Sequence, residues 1–267
     1  MKEQNYSYVF KFESEFNEQK AIAWITDHFS HAFYYDAIYL TVIFTLKKFM
    51  ENRPPLKMKL PAVIWNIFLA TFSIIGTSRT MPHLIHSMRH HGLNYTICDR
   101  SFLLTDPVTR VWAYFFLLSK IVELGDTVLV VLRKHPLITL HWTHHVMALT
   151  YCWWGYTTAT STARWLGTNN IFVHSLMYSY YALRCMNFKL PRRIPKMITT
   201  LQIVQMVIGV YANSYVLWLH SQGIECGSTS VNVACCLAMY FYFFVLFTRF
   251  YLKTYRSNNK KNHLKNN

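Results

Sequence analysis

Three histidines, His141, His144 and His145, lie in an otherwise apolar and aromatic run, residues 137–156. Imidazole can ligate a metal, shuttle a proton or attack a carbonyl. An ionisable group inside so apolar a segment is costly and usually functional. If the segment is a helix, offsets of three and four put all three rings on one face. Other apolar runs carry chemistry at similar intervals. Lys120, Glu123 and Asp126 recur every third residue. His174 is followed by Tyr178 and Tyr181, and Thr199 by Gln202 and Gln205.

The elements that must hold these residues follow from composition. The 267 residues are 52% hydrophobic, 17% aromatic and only 15% charged, too apolar for an ordinary soluble domain. A net charge of +15 invites a nucleic-acid reading, but the cations sit in short loops between apolar runs, so a membrane is expected and nucleic acid is not. Residues 1–30 show no apolar core of a signal peptide. Seven runs have spanning length: 32–50, 61–80, 108–131, 137–157, 165–184, 197–220 and 231–252. The expected fold is all-α, a polytopic bundle of seven transmembrane helices. It comprises a lumenal N-terminal segment (1–31), a seven-helix catalytic domain (32–252) and a basic cytosolic tail (253–267).

Lys and Arg orient the bundle. The loops after runs 1, 3 and 5, with the tail, hold eighteen cations against eight on the other side. The N-terminus is therefore expected in the lumen and the C-terminus in the cytosol. The two N-x-S/T sequons, at Asn5 and Asn94, both fall on the lumenal side, which makes them candidate glycosylation sites. Cys98 and Cys226 alone among six cysteines lie in lumenal loops, where they either pair or remain two thiols; pairing is the expectation.

Counting 1.5 Å per residue from the cytosolic ends puts the histidines, the Lys120 series, His174 and the Gln202 series in one layer, roughly 5 to 18 Å deep. A polar cavity open to the cytosol follows. Lys120 and Glu123 fit equally a neutralised structural pair or a chemical role. Thr199, Gln202 and Gln205 fit either interhelical hydrogen bonding or a cavity wall.

Four motifs in register are similar to those of the very-long-chain fatty acid elongases: Lys120-x-x-Glu123-x-x-Asp126-Thr127, His141-x-x-His144-His145, His174-x-x-Met177-Tyr178-x-Tyr180-Tyr181 and Thr199-x-x-Gln202-x-x-Gln205. Glu123-Leu124-Gly125-Asp126-Thr127, Leu132-Arg133-Lys134 and Leu140-His141-Trp142 resemble the branch that extends saturated and monounsaturated chains such as palmitoyl-CoA. The resemblance implies condensation of acyl-CoA with malonyl-CoA, giving 3-ketoacyl-CoA, carbon dioxide and CoA, in the endoplasmic reticulum membrane. It implies no metal and no cofactor. The ketoacyl reductase, dehydratase and enoyl reductase of the cycle are expected partners, with membrane lipid and a second copy of the chain.

The residues suit that chemistry. Arg133, Lys134, Arg192 and Arg193 ring the expected cytosolic mouth, where the polyanionic CoA would sit. The acyl tail would run into the apolar lumenal half, shielded from water. Soluble condensing enzymes use a cysteine nucleophile. Here Cys152 lies two turns past His145 and Cys185 at a run's end, so a histidine acyl-enzyme is the better reading, with His144 as nucleophile opposite His174. His141 and His145 would orient, shuttle protons or stabilise the enolate. Asn170 would donate to the thioester carbonyl, and Glu123 or Asp126 would hold an imidazole tautomer, with Lys120 balancing charge.

Two rivals share some of these features. A di-iron membrane desaturase or hydroxylase also uses H-x-x-H-H boxes but needs about eight histidines. The further histidines available, His83, His86, His90 and His91, are expected at the opposite membrane face. A seven-helix receptor or transporter is the other. Residues 231–248 carry no lysine for retinal, and the spans lack paired Gly/Pro breaks.

Overall fold

A computed structural model describes residues 6–256. Among them every regular element is a helix. Two short N-terminal helices, α1 (Lys11–Ser14) and α2 (Glu18–Asp27), precede α3 (Ser30–Met50) and the long α4 (Lys59–Cys98). A single turn, α5 (Ser101–Leu104), leads into α6 (Pro107–Glu123) and α7 (Gly125–Leu132). Then come α8 (Thr139–Thr157), α9 (Ala163–Cys185), α10 (Arg193–Ser221) and α11 (Ser230–Tyr251), the last running into a π turn, Leu252–Arg256.

Six of these close a ring. α4 lies along α9, α9 along α10 and α10 along α11; α11 meets α8, α8 meets α6, and α6 returns to α4. α3 packs outside the ring against α7 and α8. The seven expected runs correspond to α3, α4, α6 with α7, α8, α9, α10 and α11.

Three helices are long and apolar enough to cross a membrane by composition: α4, α10 and α11 with its π turn. The rest fall short for a physical reason. α8 carries the three histidines, α9 carries Arg164, Asn169, Asn170, His174 and Arg184, and α3 carries Asp36, Lys47 and Lys48. α6 and α7, at 17 and 8 residues, are each too short on their own.

Two boundaries differ from expectation. The second run was expected to end near residue 80, but α4 continues through Pro82 to Cys98, broken only at Gly92, whose φ of 76° no longer fits a helix. The third run is interrupted at Leu124, whose N–H reaches back to Ile121 O at 3.3 Å as well as to Val122 O. The next residue, Gly125, sits against the Trp65 ring so closely that a Cβ there would lie 2.5 Å from it. α6 itself starts cleanly, with Pro107 in its first turn and the Asp106 carboxylate accepting from Val108 N and Thr109 N.

The two ends of the bundle are chemically segregated. At one end Glu13 holds Arg79, Arg164 reaches Tyr95 O, and Cys98 is bonded to Cys226 with Cα atoms 4.5 Å apart. At the other, Lys134 Nζ donates to Glu51 O and Arg53 O at 3.0 and 2.8 Å. Residues expected in the lumen meet one another, and so do residues expected in the cytosol. Asn94 is exposed, whereas Thr96 of its sequon is buried and accepts from Trp165 Nε1 at 3.2 Å. Asn5 and the tail cations beyond Arg256 lie outside the described residues.

Candidate active site

The polar layer is real, and it is organised into three clusters around one cavity. The reason lies in helix geometry. Successive residues turn by about 100°, so a step of three drifts by about 60° and a step of one by 100°. Residues that share a spacing therefore need not share a neighbour.

The first cluster is a buried charge network. Lys120 Nζ donates to both Glu123 oxygens, at 2.9 and 3.0 Å, and to Asn170 Oδ1 at 2.9 Å. Ser119 Oγ donates to the same carboxylate at 2.9 Å. Glu123 Oε1 also stands 3.5 Å from His174 Nδ1, while Asn170 Nδ2 is 3.4 Å from His174 Nε2. Glu123 is thus the carboxylate that can fix the His174 tautomer, accepting at Nδ1 and leaving Nε2 free to accept. Asn170, expected to face a thioester, has its carbonyl oxygen already engaged by Lys120.

Asp126 was expected as an alternative tautomer holder and does something else. Two steps of three swing it away from Lys120, and it accepts from Trp65 Nε1 at 2.5 Å and Tyr178 Oη at 2.7 Å. It ties α4, α7 and α9 together rather than touching an imidazole.

The three imidazoles of α8 all line one cavity but meet different neighbours. His141 and His145 pair, ring centroids 4.7 Å apart, on the side of α3 and α7. There His141 Nε2 meets Thr127 Oγ1 at 3.0 Å, and Tyr39 Oη meets the same hydroxyl at 2.7 Å. His144 turns the other way. Phe243 and Phe247 of α11 stand edge-on to its ring, centroids 5.0 and 6.5 Å away, and its buried Nδ1 has no hydrogen-bond partner. Buried polar atoms without partners are uncommon in folded chains.

These clusters line an outer cavity of about 630 Å³. His141, His144, His145, His174, Asn170, Asp126, Tyr178, Tyr181, Gln202, Gln205 and Arg133 all contribute to its wall. Gln202 Nε2 reaches only Met177 Sδ, at 3.4 Å, so its amide is otherwise open. An inner cavity of about 130 Å³, walled mainly by Trp112, Phe116, Leu117, Leu166, Tyr240 and Phe243, lies toward the Cys98 end. The two share His144, Asn170, Gln205 and Met206, so His144 stands at the junction of a polar vestibule and an apolar bore.

Of the expected phosphate-binding cations, Arg133 lines the outer cavity, joined by Arg184, which was not among them. Arg192 and Arg193 are exposed and outside its wall. Lys134 is committed to the two carbonyls at the end of α3. Its φ of 55° and the bonds Lys134 N to Val131 O and His135 N to Val130 O make it the residue that ends α7. The cysteines are nearer than expected: Cys152 lines the inner cavity and Cys185 the outer one, with Arg133 Nη1 3.7 Å from its sulfur. Sequence spacing measured distance along α8 and could not show that Cys152 projects into the bore.

Tyr39, Trp65 and Thr127 were missed as site residues. Tyr39 and Trp65 sit in runs that look lipid-facing, and only the partner helix reveals them. Among the described residues no three His, Cys, Asp or Glu side chains are grouped to hold a metal ion. His83 Nε2 lies 4.0 Å from Asp106 at the far end of the inner cavity, away from His141.

A ring of helices encloses a polar vestibule and an apolar bore, with a histidine at their junction placed where it could act on an acyl chain. Residues 24–263 match the ELO family, GNS1/SUR4. The chain belongs to that family. It is 47% identical over 256 residues to very long chain fatty acid elongase 6 of Drosophila melanogaster, covering 94% of this chain and 80% of the relative. To elongase 6 of Mus musculus it is 38% identical over 253 residues, covering 94% of each. To elongase 3 of Homo sapiens it is 36% identical over 219 residues, covering 82% and 80%.

Proposed function

We propose that this chain is the condensing enzyme of fatty acid elongation, joining an acyl-CoA to malonyl-CoA and releasing 3-ketoacyl-CoA, carbon dioxide and CoA. The observation that carries this is His144 at the mouth of an apolar bore, beside the Lys120–Glu123–His174–Asn170 network. Family membership supports the same reaction.

The roles follow from position. The CoA moiety occupies the outer cavity, its phosphates near Arg133 and Arg184. The acyl tail enters the inner cavity. His144 attacks the thioester carbonyl, forming an acyl-imidazole and releasing CoA thiolate. His174, oriented by Glu123, accepts at Nε2 the proton that His144 loses on acylation and passes it to the thiolate. Malonyl-CoA then loses carbon dioxide, and the carbanion displaces the imidazole, which takes up a proton from solvent, to give the 3-ketoacyl product. The His141–His145 pair, held by Thr127, stabilises the enolate.

The membrane arrangement belongs to the same reading. All seven expected segments cross the endoplasmic reticulum membrane, with the C-terminus cytosolic, and saturated or monounsaturated chains near palmitate are the preferred substrates. The cation bias and the segregated ends support the orientation. The relatives' names support the substrate class. Purified protein given labelled malonyl-CoA and a panel of acyl-CoAs should make 3-ketoacyl-CoA, most from palmitoyl-CoA. Two irons per chain with no condensation would instead favour the desaturase reading.

A further inference from the structure

The inner cavity is apolar along its bore but not at its end. Beyond Leu166, toward the start of α9, its wall includes Arg164, Thr162 and, from α4, His83. All three are more than nine-tenths buried, at 3%, 0% and 8% exposed. All three have polar atoms with no partner among the described residues: Arg164 Nε and Nη2, Thr162 Oγ1 and His83 Nδ1. Two of them flank Phe102. The Arg164 guanidinium lies 4.6 Å from the centre of that ring, and the His83 ring centroid 6.4 Å from it.

Structural duties use only part of this group. Arg164 Nη1 donates to Tyr95 O at 3.3 Å, and His83 Nε2 lies 4.0 Å from Asp106. The nearby carboxylates are occupied. Asp106 accepts from Tyr6 Oη, Val108 N, Thr109 N and Thr109 Oγ1, and Asp99 accepts from Ser101 N. A buried guanidinium with two unpartnered nitrogens is expensive unless an acceptor meets it. Arg164 has only donors to offer, the Thr162 hydroxyl can donate as well, and His83 Nδ1, opposite the Nε2 that faces Asp106, can accept from a hydroxyl. An acceptor that reaches this end of the cavity would meet the donors of Arg164 and Thr162.

We propose that the end of the inner cavity is a binding site for an oxygenated acyl terminus, an ω-hydroxyl or ω-carboxylate, read by Arg164, Thr162 and His83. This rests on the acyl tail occupying the inner cavity. On α8 the wall of the inner cavity runs from His144 to Tyr156, twelve residues or about 18 Å of helix beyond the reacting histidine. The chain enters thioester-last with its far end leading, so the terminus is the part that meets these donors. An unsubstituted methyl end leaves them to water.

The test is competition in purified protein reconstituted into lipid vesicles. Palmitoyl-CoA is paired with 16-hydroxypalmitoyl-CoA or with the mono-CoA ester of hexadecanedioic acid, and labelled malonyl-CoA reports condensation of each. The wild type should elongate the oxygenated chains at least as well as palmitoyl-CoA, although a bare apolar bore would reject them. Arg164→Met should lower the oxygenated-to-plain ratio by about tenfold or more, most for the carboxylate, as loss of a charge-assisted bond requires. Thr162→Val, close in shape, should lower it by less in the same direction, and decides the matter if Arg164→Met does not fold. Rejection of both oxygenated chains by an enzyme that elongates palmitoyl-CoA would overturn the proposal. A ratio that neither variant moves would do the same, since the donors would then serve water alone. Failure to elongate palmitoyl-CoA itself would overturn the condensing-enzyme reading beneath it.

Discussion

Gly209 offers the sharpest handle on chain length. A Cβ at this position, on α10, would overlap the Tyr240 ring of α11. Tyr240 is buried and lines the inner cavity. In Gly209→Ala the ring has to retreat until the carbons stand about 3.5–4.0 Å apart, and the nearest free space is the bore. A ring that excludes the last two methylenes of a bound chain removes about 0.8 kcal/mol for each. The sum, about 1.6 kcal/mol, shifts the ratio between substrates two carbons apart by roughly fifteenfold. Overpacking will also cost some stability, about 1–3 kcal/mol. The assay is condensation by purified variant across saturated acyl-CoAs differing by two carbons, read as ratios so that loss of folded protein cancels. Gly209→Ala should favour the shorter chain, and Gly209→Ala with Tyr240→Leu should move the profile back. A stable, active Gly209→Ala enzyme with the wild-type profile would refute the placement of the tail.

Three further outcomes are expected. Cys98 and Cys226 close a loop 128 residues apart in sequence, so replacing both with Ser should cost roughly 2–4 kcal/mol, and non-reducing peptide mapping should recover the linked pair. Burial pushes the Glu18 carboxyl up to about 7 in the N-terminal segment, so the fold favours its protonated form. The stability this contributes is full below the ordinary carboxylate range near 4.5 and is lost as pH rises through about 7; Glu18→Gln should therefore melt higher than wild type at pH 8, by on the order of 1–3 kcal/mol, with the gap closing by pH 5. In sealed microsomes Asn94 should accept glycan while a C-terminal tag is digested by added protease, and a protected tag would invert the assigned orientation.

The seven runs and the polar layer were legible because apolar length and ionisable intruders are one-dimensional signals. What spacing could not supply was the direction of each side chain toward a second helix. His144 and His145 are adjacent in sequence yet face different neighbours, because one residue is 100° of helix. Asp126 keeps the rhythm of Lys120 and Glu123 but bonds to Trp65 and Tyr178. Lys134 reads as a phosphate cation until its backbone is seen to turn a helix end. The break at Leu124 and the extension of α4 past Pro82 depend on packing, against Trp65 and α9, that no local pattern encodes.

The central claim is that His144 carries the acyl group. Purified enzyme incubated with palmitoyl-CoA alone should release CoA in proportion to enzyme, and peptide mapping should place a palmitoyl adduct on His144. Adding malonyl-CoA should then discharge that adduct as 3-ketoacyl-CoA. His144→Ala should lose both steps while keeping the Cys98–Cys226 bond as evidence of folding. An adduct that persists in His144→Ala, on His174 or on Cys152, would move the nucleophile. CoA release that never precedes malonyl-CoA addition would contradict the acyl-enzyme and leave a concerted condensation.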